Sequence, residues 1–114
     1  MPPEEWLLVP TELFIRRHKE FSMRRPMQLK AVLENLARYK EMLNHQPIAR
    51  LVSANFIHPE GRGIVALTEK GSKPKQPPTR LYVFPVQNSK TLNLITIGDK
   101  RTQREDIKDC YKHL

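Results

Sequence analysis

A chain of 114 residues with 39% apolar and 28% charged residues has the material for one folded core and not for two, so a single domain over residues 1–114 is expected. A mean hydropathy of −0.59, with no apolar run near the roughly 20 residues of a spanning helix, excludes a helical membrane protein. The net charge of +8 and a pI near 9.9 point to polyanion partners, nucleic acid among them, or to an acidic protein that covers a basic face.

Met1-Pro-Pro-Glu-Glu5 has neither the basic nor the apolar segment of a secretory leader, and the lone Cys110 cannot form an internal disulfide. A cytoplasmic location is therefore expected. Trp6 to Val9 is a short apolar run and reads as an edge strand. Pro10-Thr11-Glu12 then opens a helix, with Thr11 as N-cap and Glu12 where the helix dipole favours an acid. Phe14, His18 and Phe21 share one stripe of it, and His18 reads as a packed helix-face residue.

Ser22 to Arg25 breaks the pattern, and Pro26 suits the first turn of a second helix. From Met27 to Asn44 the apolar positions Leu29, Val32, Leu33, Leu36 and Leu43 recur at helical spacing, with Tyr39 flanking the stripe. These segments predict a helical hairpin laid on one side of a sheet. After an ambiguous stretch from Ile48 to Ala54, Phe56-Ile57 leads to a turn over His58 to Gly63 and a strand from Ile64.

Residues 70–79 form a basic, proline-rich loop, with Lys70, Lys73 and Lys75 among prolines and no apolar anchor. Such a segment either links strands through solvent or touches an RNA backbone. Arg80 to Val86 and Thr91 to Ile97 alternate in polarity around Gln87-Asn-Ser-Lys90, which predicts a hairpin. Gly98 to Ile107 ends the second strand and starts a closing helix, for which Thr102 and Glu105 give a capping-box pattern. Ile107, Cys110, Tyr111 and Leu114 are spaced to face the core, where Cys110 reads as a small apolar residue.

The turn is expected to set Lys100 and Arg101 at a helix N-terminus, with Arg80 reaching the same side from the neighbouring strand. Helix amides and fixed cations both favour a phosphate there. The simpler alternative is that Arg80 pairs with Asp99 or Asp106, while Gln103 and Asp106 brace the turn. No Cys/His spacing suggests a metal site and no glycine-rich loop suggests a nucleotide, so no cofactor is expected.

A hairpin opening with Arg80 and running into Gly98-Asp99-Lys100-Arg101, with Gln103 and Asp106-Ile107 in a closing helix, resembles the RelE/ParE superfamily of bacterial and phage toxins. The pattern is most similar to HigB-type and phage-derived members. The resemblance covers the last 35 residues by motif and the front half by order of elements. It implies an α+β domain in the order β-α-α-β-β-β-α, with a mostly antiparallel sheet, the helical hairpin on one face, a C-terminal helix, and the other face partly open. It also implies a toxin held by a cognate antitoxin. Family members that are ribonucleases cleave mRNA, many on the ribosome, by attack of a ribose 2′-hydroxyl on the adjacent phosphate. That reaction needs a base, an acid and cations, and no metal.

By this resemblance Arg80 and Arg101 take the places of phosphate-binding arginines, Lys100 stands beside them, and Lys70 is a further cation. Lys73, Lys75 and Arg104 are expected on the RNA-binding surface. The long 70–79 loop departs from the short connection usual in the family. So does Ile107, which stands where some members carry a catalytic Tyr, leaving His113, Tyr111 or His58 to move the proton. Two alternatives stay open: a module that only binds RNA or a protein, and a ParE-like gyrase inhibitor.

Overall fold

Thr11 starts the architecture. Its hydroxyl accepts the Phe14 N–H at 3.0 Å, the expected N-cap, and also donates to the Ile95 carbonyl at 2.7 Å, which ties the first helix to the sheet. The computed structural model describes residues 5–51, 55–69 and 78–114. Its elements are β1 (Leu7–Pro10), α1 (Glu12–Arg24), α2 (Pro26–Leu43), a 3-10 turn (Ile48–Arg50), β2 (Ile57–Gly61), β3 (Ile64–Thr68), β4 (Thr79–Val86), β5 (Thr91–Asp99) and α3 (Gln103–Lys112). The five strands form one sheet in the order β1-β5-β4-β3-β2, with β1 parallel to β5 and every other pair antiparallel.

α1 and α2 form the predicted hairpin, broken at Arg25 and restarted by Pro26 at the head of α2. Phe14, Leu29, Val32, Leu36, Tyr39 and Leu43 pack against Leu67, Leu81, Val83, Leu92, Leu94 and Ile97 of the sheet. Each fully buried side chain of this kind contributes roughly 1.5–3 kcal/mol. Tyr39, expected at the flank of the stripe, is 1% exposed. Asn35, buried among these residues, donates to the Thr68 carbonyl at 2.7 Å and fixes α2 over β3.

Three features differ from expectation. α3 does not join the hairpin. Its Cys110, Ile107 and Tyr111 pack with Ile64, Ala66, Tyr82 and Ile95 on the opposite face, so the sheet carries helices on both sides. The change of face along β5 comes from a bulge: Tyr82 pairs with Thr96 and Val83 with Leu94, leaving Ile95 as an extra residue. Second, four strands follow the hairpin rather than three, because His58, Pro59 and Glu60 belong to β2 and the turn contracts to Gly61-Arg62-Gly63. Pro59 is tolerated there because β2 is an edge strand. Third, the Thr102–Glu105 capping box does not form. The Asp99 carboxylate accepts the Arg101 and Thr102 N–H groups at 2.8 and 3.3 Å and holds the entry to α3 instead.

Candidate functional site

Strand alternation decides which of the expected cations meet. Arg80 pairs with Gly98 across β4 and β5, and the open side of Gly98 lies against Asp106 of α3, so this row faces α3. Asp99, the next residue, faces the helical hairpin: its Oδ2 stands 3.2 Å from Arg25 Nη1 and 3.0 Å from Arg101 Nη2. The expectation that Arg80 reaches the side of Arg101 therefore does not hold, because adjacent strand residues point to opposite faces. Nor does Arg80 pair with Asp99 or Asp106.

Its partner is Glu60, which sequence reasoning missed. β2 bulges between Pro59 and Gly61, and Glu60 is the extra residue. Two residues after His58, the Glu60 side chain falls on the α3 side of the strand, where Glu60 Oε1 accepts from Arg80 Nη1 at 3.3 Å across β3. Both side chains are largely shielded, at 15% and 19% exposure. Tyr111 closes the group from α3: its hydroxyl donates to the Glu60 carbonyl at 3.1 Å. Arg62, in the left-handed conformation at φ 54°, lays its guanidinium 4.7 Å above the Tyr111 ring. His58 lies on the same face of β2, with Nε2 3.1 Å from Thr68 Oγ1, and Thr68 pairs in register with Arg80.

The α3 face thus gathers a carboxylate, two guanidiniums, a phenol and an imidazole. The only sequence signal for Glu60 is the Pro59-Glu60-Gly61 run, read as a turn for its proline and glycines. His113 stands exposed at the C-cap of α3. Lys100 and Arg104 are exposed and, with Ile107, border a shallow depression at the start of that helix. Lys70, Lys73 and Lys75 lie outside the described residues.

Behind this group sits a buried polar junction. Asp106 is 1% exposed and accepts from Thr102 Oγ1 at 2.7 Å. Burial pushes its carboxyl up to about 6, against the opposing pull of the Thr102 hydroxyl and Arg17. Burial, with the carboxylates of Asp106, Asp109 and Glu60, pushes the Cys110 thiol up to about 12 and leaves it inert as a nucleophile.

On the hairpin face, Arg17, Arg24, Arg25 and Arg101 line a cleft of about 200 Å³ with Phe21, Gly98, Asp99 and Thr102. Burial alone would raise the Asp99 carboxyl. The hydrogen bonds and charge of Arg101, with the Thr102 N–H, outweigh it and hold that carboxyl below the usual range. Asp99 therefore occupies the anion-accepting helix entry where a phosphate was expected. No group of His, Cys, Asp and Glu suited to a metal occurs among the described residues. No helix among them is long and apolar enough to cross a membrane.

No protein-family model, curated protein or solved structure matches this chain.

Proposed function

We propose that this chain is a RelE/ParE-type toxin: a metal-independent endoribonuclease that cuts mRNA on the ribosome and is restrained by a cognate antitoxin. The observation that carries the reading is the Glu60–Arg80 pair on the α3 face, with Arg62, Tyr111 and His58 around it. Transphosphorylation of RNA needs a base for the 2′-hydroxyl, and Glu60 is a carboxylate already oriented by a cation. It needs charge around the phosphoryl oxygens, which Arg80 and Arg62 supply when a phosphate displaces part of the Glu60 contact. It needs a proton for the leaving 5′ oxygen. Histidine is suited to that step as a residue type, and His58 shares the strand face with Glu60.

This assignment keeps Arg80, Tyr111 and His58 and adds Glu60 and Arg62. Tyr111 acts as a positioning residue, through the Glu60 backbone and the Arg62 guanidinium. The net charge of +8 supports a polyanionic substrate. An antitoxin segment has a matching surface on the other side of the molecule. His18, Pro26, Leu29, Leu33 and Ala37 border an apolar groove of about 490 Å³ between α1 and α2, beside exposed Met23 and Met27.

Induction of the chain in a bacterial culture, with primer extension on an abundant mRNA, tests the reading. Growth arrest with cuts inside translated regions is expected. Arrest without cuts would favour gyrase inhibition, for which a supercoiling assay is the check, and no arrest would leave a binding module.

A further inference from the structure

The hairpin-face cleft is built unlike an ordinary solvated surface. Arg17 and Arg24 reach it from α1, Arg25 from the α1–α2 corner and Arg101 from the β5–α3 turn, so cations from separate parts of the chain converge on one space of about 200 Å³. Asp99 is the single acidic residue in the lining. It is already saturated: Oδ1 accepts two backbone N–H groups, and Oδ2 is shared by Arg25 and Arg101. Arg17 has an edge contact to Glu20 at 3.5 Å on its own helix and lies within electrostatic reach of buried Asp106, and Arg24 has no ion pair among the described residues.

The most confined of the four cations is Arg25, whose side chain is 11% exposed. The Nε of Arg17 is a buried donor without a hydrogen bond, and Arg25 Nη1 has only its ion-pair contact to Asp99 Oδ2. Like charges gathered around a half-enclosed cleft repel one another, and buried donors left unpaired destabilise the fold. An anion with several acceptor oxygens relieves both costs. Guanidinium groups match the oxygens of phosphate in pairs. The wall also carries Phe21, with Arg25 stacked 5.9 Å from its ring, an apolar surface on which a sugar or base can rest.

We infer that the cleft framed by Arg17, Arg24, Arg25 and Arg101 is a phosphate-binding site for a nucleotide or RNA strand, separate from the Glu60–Arg80 group on the other face of the sheet. It does not depend on the ribonuclease reading: a chain that cleaves nothing would still bind phosphate here.

Titration of the full chain with inorganic phosphate at constant ionic strength, followed by NMR at the Arg17 and Arg25 Nε–H and the Arg101 and Thr102 amides, is the test. Saturable shifts are expected. In the double variant Arg17→Gln, Arg24→Gln the affinity falls at least about tenfold while the melting temperature does not fall, because neither residue is in the core and both carry the same charge. Lys112→Gln, which removes an exposed charge on α3 outside both sites, binds phosphate as the wild type does. Competition with short RNA then separates the sources: displacement only by 5′-phosphorylated oligomers assigns the site to a terminal phosphate, and displacement by 5′-hydroxyl oligomers as well assigns it to the backbone. Absence of saturation, equal affinity in the double variant, or equal displacement by chloride would overturn the site. So would displacement by a glutamate-rich peptide and by neither RNA.

Discussion

Gly98 and Asp106 occupy one another's space: a β-carbon at residue 98 would overlap the Asp106 carboxylate and lie 2.6 Å from Thr102 Oγ1. The glycine that ends β5 is therefore required by packing, because the first turn of α3 presses its buried acid directly onto the strand backbone. Gly98→Ala should cost about 3 kcal/mol, since neither the strand nor the carboxylate can yield. Urea unfolding reads this directly. A loss under about 0.5 kcal/mol, the range of an ordinary surface change, would contradict the contact.

Two aspartates close together in sequence should impose opposite pH dependences. The Asp106 carboxyl, raised by burial from 3.8 to about 6, binds its proton more tightly folded than unfolded. Its contribution is full below about 3.8 and is lost as pH rises through about 6. The loss amounts to roughly 2 kcal/mol between pH 4 and 7. Asp99 is the reverse: its folded value lies below 3.8, so its contribution is present above that pH and is lost as pH falls through the folded value. Asp106→Asn should flatten the stability curve between pH 4 and 7 and raise stability at pH 7. Asp99→Asn should lower stability at pH 7 and remove the acid-side decline. Denaturant midpoints across pH check both.

Much of the fold was legible because its signals are local. The Thr11 cap, the Pro26 restart and the stripe of Leu29, Val32, Leu36 and Leu43 each depend on residues within a few positions of one another and stand as expected, while Leu33 is only half-buried at the stripe's edge. The two bulges were not legible. Ile95 and Glu60 are extra residues only relative to a partner strand, and no local pattern announces which partner or register a strand will take. The bulge at Ile95 lets β5 turn Ile95 toward α3 while Leu94 and Ile97 both stay in the hairpin-side core. Glu60, the extra residue of the second bulge, is the carboxylate that motif reading lacked. Arg80 and Arg101 were expected together because Arg80 lies on the strand beside the Gly98–Arg101 turn, yet the two-residue period of the strand separates them.

Tyr111 joins α3 to the β2–β3 turn through one hydroxyl and one stacked guanidinium. Tyr111→Phe removes the bond to the Glu60 carbonyl and keeps the ring under Arg62. A stability loss of about 1 kcal/mol is expected, as for an ordinary hydrogen bond. On the proposed function, cleavage should slow through kcat with KM nearly unchanged, since the hydroxyl positions Glu60 and does not touch RNA. Thermal unfolding and single-turnover rates separate the two effects. A stable variant with full activity would remove Tyr111 from the site.

On the proposed function, Glu60 takes the 2′ proton while Arg80 holds the phosphate. The most direct measurement is the single-turnover cleavage rate of mRNA on purified ribosomes for the wild type and Glu60→Gln, with binding to the ribosome recorded alongside. Glutamine keeps the shape and can still accept from Arg80, but it cannot take a proton. A rate loss of about 10²–10⁴-fold with unchanged ribosome binding is predicted. Cleavage by Glu60→Gln at the wild-type rate, with Arg80→Ala equally active, would contradict the account.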